Sequence, residues 1–169
     1  MKYTSAEAAK LLRRLNEEHE ALLELERQSA SFVAAVSEDL ESVRPAYDLI
    51  AVQGKLAEIE AKVRKVKHAL NVFNSTHSVP GFGMTIDQML VYIPQLSQRK
   101  MKLRNMAGVL QKARVKGRSA VNSAVIEYTY ANYDVEEAKA AADAAAEDLA
   151  RAQTALDKVN NTETMEIDL

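Results

Sequence analysis

Three histidines carry the side chains best suited to acid–base or metal chemistry, namely His19, His68 and His77. His77 follows Thr76 and precedes Ser78, and a hydroxyl within reach of a histidine is the pair on which nucleophilic catalysis is built. A working triad also needs an orienting acid, whereas Ser and Thr are common in loops because they hydrogen-bond to the backbone of turns. We therefore expect no catalytic centre and no enzymatic activity.

Metal binding would require histidines and carboxylates at a fixed helical spacing. Helical bundles that hold two metal ions repeat a Glu followed three residues later by a His. The residue three positions before each histidine is instead Asn16, Lys65 or Asn74. Because the chain has no cysteine, thiolate sites are excluded as well. We expect no bound metal and no cofactor.

A loop between two helical patterns is the candidate ligand site. Residues 74–83 (NSTHSVPGFG) combine small polar residues with a proline and two glycines, which predicts a turn. The side chains that could bind a ligand there are Asn71, Asn74, Thr76 and His77. The alternative is that the two asparagines and Thr76 close the preceding helix by hydrogen-bonding its last carbonyls or the turn amides.

Charge is distributed very unevenly along the chain. Residues 88–126 contain no Asp or Glu, although the chain as a whole carries a net charge of −2. The cations of this stretch are Arg99, Lys100, Lys102, Arg104, Lys112, Arg114, Lys116 and Arg118. Such a segment can displace counterions from nucleic-acid phosphates, and the nearby Tyr128 and Tyr130 can stack on bases. Nucleic-acid binding is therefore one functional hypothesis.

The same basic segment can also pair with an acidic helix face, within one chain or across a dimer. Glutamates between Glu17 and Glu26 supply such a face. The isoelectric point near 6.0 lies well below the range typical of nucleic-acid-binding domains. We therefore favour packing against protein over binding to nucleic acid.

Helical periodicity dominates the elements that would position these residues. Apolar residues recur in steps of three and four over most of the chain. The predicted helices are helix A over about residues 5–42, helix B over 46–73, helix C over 85–112 and helix D over 134–160. Capping boxes that open at Thr4 and Thr85, together with Asp134 as a cap, predict where three of them begin. Pro45 separates helices A and B, and Pro94 is expected to bend helix C.

A different pattern lies between helices C and D. Residues 125–130 (VIEYTY) are mostly β-branched or aromatic, which is typical of a strand. In a strand, Ile126, Tyr128 and Tyr130 would lie on one face. This pattern predicts a short β-hairpin within residues 113–133. The C-terminal tail alternates Met165, Ile167 and Leu169 with polar residues, which is typical either of an added edge strand or of a frayed end.

Three short motifs lie near predicted helix ends. They are residues 70–76 (LNVFNST), residues 84–90 (MTIDQML) ahead of a basic helix, and residues 155–161 (ALDKVNN). In this order they resemble septicolysin-like proteins, a family of small bacterial helical proteins. Phe73 stands where that family usually has Thr, and the family's Trp in the last turn is absent. The resemblance implies a helical fold over most of the chain and no established activity.

These patterns predict a mainly α protein, an elongated antiparallel helical bundle or coiled-coil hairpin of about four helices in a single domain, residues 1–169. We expect a structural or interaction protein that forms a homo-oligomer or binds another helical protein. The alternative is a nucleic-acid-binding accessory protein that uses residues 99–118. Without cysteine, a secretory leader or a run of 18 apolar residues, the chain is expected to be cytoplasmic with no transmembrane span.

Overall fold

A computed structural model describes residues 1–115 and 126–169. The mainly α fold predicted from apolar periodicity is confirmed, with short antiparallel strand pairs beside the helices. The helices of the described residues are α1 (Ser5–Ser29), α2 (Leu40–Val43), α3 (Leu49–Thr76), α4 (Ile86–Ala107) and α5 (Val135–Thr162). The strands are β1 (Lys2–Thr4), β2 (Ser78–Val79), β3 (Met84–Thr85), β4 (Lys112–Arg114), β5 (Tyr128–Tyr130) and β6 (Thr164–Glu166).

The chain divides into two compact units. The first comprises Met1–Thr76 and Val159–Leu169, and the second comprises His77–Lys158. The last turn of α5 therefore belongs to the first unit, and the rest of that helix belongs to the second.

Two antiparallel helices, α1 and α3, form the frame of the first unit. Gln53 near the start of α3 donates a hydrogen bond to Glu26 at the end of α1, and Glu60 further along contacts His19. The buried apolar side chains lie at helical spacing on both helices: Ala8, Leu11 and Leu15 on α1, and Val52, Leu56, Ile59, Val66 and Phe73 on α3. Burying a large apolar side chain contributes about 1.5–3 kcal/mol, so this row is the main stabilising feature of the pair.

The two ends of the chain pair with each other in the first unit. β1 and β6 are antiparallel, with Tyr3 opposite Met165. The ladder continues through two backbone hydrogen bonds, in which Ile167 donates to the Met1 carbonyl and the Met1 amino group donates to the Ile167 carbonyl. Met165 and Ile167 are both buried. The alternation in the tail therefore marks a paired strand and not a frayed end.

Helix A is shorter than predicted. α1 ends at Ser29 rather than near residue 42, and α2 is a separate single turn. Val33 and Val36, which suggested a continuous helix, are fully exposed. Helical stability in proteins comes mostly from packing an apolar face, and these side chains have no such packing to hold them in a helix.

Helix C also ends earlier than predicted, at Ala107 rather than near residue 112. Gly108 caps it, donating its amide to the carbonyls of Arg104 and Asn105. The chain then enters the β-hairpin that begins at Lys112. The apolar Leu110 suggested another turn of helix, but it lies between the end of α4 and the first strand of the hairpin.

The loop predicted before helix C is a tight β-hairpin in the second unit. β2 and β3 are antiparallel, with Ser78 opposite Thr85. In the turn between them, Gly81 and Gly83 have φ angles of 84° and 61°. These left-handed conformations are costly for residues with a Cβ atom, which explains both glycines.

The helix starts predicted from capping residues are confirmed. The Thr4 amide donates to the Glu7 carboxylate at 2.9 Å, and the Glu7 amide donates to the Thr4 hydroxyl at 3.2 Å. At the start of α4 the Thr85 amide donates to the Gln88 side chain at 2.9 Å. Asp134 accepts hydrogen bonds from the first free amides of α5.

Candidate functional site

The β-hairpin predicted within residues 113–133 is present, and it carries part of the basic segment. β4 pairs with β5 in an antiparallel ladder, which sets Lys112 opposite Tyr130 and Arg114 opposite Tyr128. Side chains directly opposite each other on two strands are close enough to interact. The hairpin therefore places two cations of the basic segment opposite two tyrosines.

Gln111, a residue that sequence reasoning missed, fixes the base of this hairpin. Its Nε2 donates to the carbonyls of Ala131 and Tyr133 at 3.1 and 3.0 Å, and its Oε1 accepts from the Val135 amide at 3.2 Å. The Tyr133 hydroxyl donates to the Met106 carbonyl at 3.0 Å. Together these bonds join the end of α4, the hairpin and the start of α5. No periodic or charge signal distinguishes a glutamine with this role.

The two tyrosines of β5 share one face of the hairpin. The ring centroids of Tyr128 and Tyr130 are 6.4 Å apart. The ammonium of Lys112 lies 4.3 Å from the first centroid and 5.3 Å from the second, within range of cation–π attraction. Both rings are also partly exposed. Lys112 therefore lies close to both rings on which a nucleic-acid base could stack.

The described cations of the basic segment are open to solvent. They are Arg99, Lys100, Lys102 and Arg104 on α4, and Lys112 and Arg114 on β4; Lys100 is half-buried and the others are exposed. In the part of the chain that the structure describes, no ion pair within 4 Å joins any of them to a carboxylate. Pairing with an acidic helix of the same chain is not seen there. Lys116 and Arg118 lie outside the described residues.

A groove of about 500 Å³ in the second unit gathers three cations. Lys100 and Arg104 come from α4 and Lys139 from α5, with Asp143 one helical turn beyond Lys139. The remaining lining residues are small: Ala107, Gly108, Ala142 and Ala146. Sequence reasoning placed the two α4 cations in the basic segment but did not associate Lys139 with them, because it lies 35 or more residues further along the chain.

The four residues predicted to bind a ligand in the loop differ in their hydrogen bonds and in their exposure to solvent. The Thr76 hydroxyl donates to the Val72 carbonyl at 2.7 Å and so closes the last turn of α3, as the alternative interpretation held. Asn71 is exposed and Asn74 is half-buried. The His77 carbonyl accepts a hydrogen bond of 3.0 Å from the first amide of α4. A ligand role for these residues stays a prediction.

His19 lies between the two long helices of the first unit. Its Nε2 is 3.4 Å from the Glu60 carboxylate. Across residues 1–115 and 126–169, no group of three or more His, Asp or Glu side chains is arranged to hold a metal ion. Within the same residues, no helix has the length and apolar character needed to cross a membrane.

The connection from α1 to α3 exposes a run of large apolar side chains: Phe32, Val33, Val36, Leu40, Val43, Leu49 and Ile50. Residues 32–50 are called the acidic apolar segment here, because Glu38, Asp39, Glu41 and Asp48 stand against a single cation, Arg44. Local hydrogen bonds shape it, such as that from the Ala35 amide to Glu38 at 2.7 Å. Apolar runs of this kind on a protein surface mark interaction sites more often than isolated exposed residues do.

Comparison with known proteins adds information on the fold alone. No family model matches the sequence, and no curated protein matches it. Among solved structures, the chain is similar to the crystal structure of a functionally unknown conserved protein from Corynebacterium diphtheriae. The two are 19% identical, the match covers 98% of this chain and 100% of that chain, and the TM-score is 0.59. The two chains share a fold.

Proposed function

We propose that this protein is a non-enzymatic interaction protein that associates with further copies of itself. In this proposal the acidic apolar segment of one copy packs against the basic hairpin of another, where the basic hairpin is defined as residues 110–114 and 126–130. The exposure of the acidic apolar segment carries the proposal: Val33 is 96% exposed and Ile50 is 83% exposed. Removing apolar surface from water yields about 25 cal/mol per Å², so association would be favoured by covering it.

The basic hairpin offers a complementary surface. Its exposed apolar and aromatic side chains are Leu110, Ile126, Tyr128 and Tyr130, with Lys112 and Arg114 beside them. The basic hairpin contains two cations against one carboxylate, Glu127, and the acidic apolar segment contains four carboxylates against one cation. Opposite net charges steer two surfaces together and disfavour contact between like surfaces.

Contact between two different surfaces allows either a two-fold dimer, in which each surface of one copy meets the other surface of its partner, or a heterologous, head-to-tail interface. A head-to-tail interface closes into a ring or extends as a filament, depending on the rotation between successive copies. Either arrangement differs from a dimer in which two like patches meet, such as two acidic apolar segments. A charge-exchange experiment can therefore test whether unlike surfaces are in contact.

The proposal is tested with two charge-reversed variants of the full chain, studied by sedimentation equilibrium at about 50 mM salt, where surface charges are weakly screened. One variant carries Glu38→Lys and Glu41→Lys, and the other carries Lys112→Glu and Arg114→Glu. Each variant alone should lose self-association, and an equimolar mixture should regain it. A matched control, Arg99→Glu with Lys102→Glu, should keep the mass of the parent protein. Unchanged mass in both variants, or a mixture that stays monomeric, contradicts the proposal.

Nucleic-acid binding is the second candidate, because five of the six described cations of the basic segment are exposed and none of the six has a carboxylate partner among the described residues. A mobility-shift titration at about 50 and about 200 mM salt tests it. Phosphate contacts predict tight binding that weakens steeply with salt. Negligible binding at the lower salt concentration removes this candidate.

A further inference from the structure

We propose that the groove between α4 and α5 binds the phosphate groups of a small phosphorylated molecule. Three cations from two helices line this groove, Lys100, Arg104 and Lys139, and Asp143 is the one carboxylate among the lining residues. The site uses no residue of the acidic apolar segment or of the basic hairpin. It therefore stands independently of the self-association proposed above.

The charge balance of the groove favours an anion. Lys100 and Arg104 are four residues apart on one helix, a spacing at which like charges repel. The carboxyl end of α4 brings a partial negative charge of about half a unit, and Asp143 brings one full charge. Three full positive charges outweigh both. An anion in the groove would relieve the repulsion that the empty arrangement carries.

The types of side chain point to phosphate. The planar guanidinium of Arg104 can donate two parallel hydrogen bonds to phosphate oxygens, and the lysine ammonium groups add compact point charges. The volume of about 500 Å³ is in the range of small-molecule sites, roughly 300–1,000 Å³. Small lining residues such as Ala142 and Gly108 leave this volume open. Asp143 can accept a hydrogen bond from a hydroxyl of the same ligand.

Isothermal titration of the full chain with inorganic pyrophosphate tests the site, at a protein concentration at which the chain is monomeric. Saturable binding of one pyrophosphate per chain is expected. Lys100→Gln with Arg104→Gln should weaken it at least tenfold. The control double variant, Arg99→Gln with Lys102→Gln, removes the same charge from the same helix outside the groove and should change affinity no more than about twofold.

Two single variants sharpen the test. Lys139→Gln should weaken pyrophosphate binding, because it removes the cation that α5 contributes. Asp143→Asn should strengthen it, because it removes the one carboxylate among the lining residues. Absence of saturable binding at millimolar pyrophosphate overturns the proposal, and so does equal weakening in both double variants, which would indicate a diffuse basic surface. Binding of oligonucleotide but not of pyrophosphate also overturns it.

Discussion

The phenol of Tyr47 donates a hydrogen bond of 2.6 Å to the Glu26 carboxylate, which also accepts one of 2.8 Å from Gln53. Glu26 lies in the last turn of α1, and Gln53 lies near the start of α3. The Glu26 carboxylate of α1 thus links Tyr47, near the end of the acidic apolar segment, with Gln53 of α3. This anchor holds the exposed apolar run at a defined place on the surface.

The Tyr47 anchor should depend on pH. The hydrogen bond to Glu26, followed by desolvation and by the negative charges of Glu26 and Asp48, raises the pKa of Tyr47 above its usual value of 10.0. A raised folded-state pKa means that the stabilisation is present below pH 10 and is lost as the pH rises through the folded-state value. In a tyrosinate absorbance titration, the difference between the parent protein and Tyr47→Phe should therefore have its midpoint above pH 10.

The same substitution should lower the melting temperature at pH 7, and the difference between the two proteins should shrink at pH values above the raised pKa. A difference titration with its midpoint at or below pH 10 would show that Glu26 does not hold the phenol in solution.

The capping box at the start of α1 should contribute measurably to stability. Thr4→Ala removes the hydroxyl that accepts a hydrogen bond from the Glu7 amide. Loss of such a cap lowers the free energy of unfolding by about 1 kcal/mol. Urea unfolding of the full chain measures the change. Thr154→Ala, at an exposed position inside α5, is the matched control and should be neutral or slightly stabilising. Equal effects of the two substitutions would contradict the assigned cap.

The C-terminal strand should be part of the stable core of the first unit. Ile167 is 2% exposed, and truncating a buried isoleucine to alanine costs about 2–5 kcal/mol. Leu169, two residues further along, is 41% exposed and provides the control. We expect Ile167→Ala to lower the free energy of unfolding by several times the effect of Leu169→Ala. Similar small effects would mean that the tail is frayed.

Gln111 should hold the basic hairpin on its helices. Gln111→Ala removes three hydrogen bonds, two to the Ala131 and Tyr133 carbonyls after β5 and one from the Val135 amide at the start of α5. Amide hydrogen exchange at residues 112–115 and 127–131 should become faster, while exchange in the middle of α3 should not change. Gln98→Ala, at an exposed position on α4, is the control. Unchanged exchange in the hairpin would contradict this role.

Local signals predicted a large part of the fold. Thr4, Thr85 and Asp134 marked three helix starts, because a side chain within the first turn accepts a hydrogen bond from a backbone amide at each of them: Thr4 from Glu7, Gln88 from Thr85 and Asp134 from Glu136. The alternation of residues 125–130 predicted a hairpin, and β5 lies within it. These features depend on residues that are close in sequence, so a single sequence is enough to find them.

Features that depend on distant partners could not be predicted in the same way. Val33 and Val36 continue the helical spacing of apolar residues predicted for helix A. Both side chains are exposed, however, and α1 ends before them, at Ser29. The groove joins Lys139 to two cations of α4 that lie far from it in sequence. Gln111 bonds to carbonyls 20 and 22 residues away. The resemblance to septicolysin-like proteins stays a prediction.

Sedimentation velocity over a hundredfold range of concentration tests self-association most directly. The parent protein should show a mass that rises with concentration. A variant with Val33→Lys and Val36→Lys should sediment as a monomer throughout, because apolar contact surface is lost and two cations would face the basic hairpin. Val91→Lys, at another exposed apolar position, should behave like the parent. A parent protein that is monomeric at every concentration, or a double variant that associates as strongly as the parent, would contradict the account.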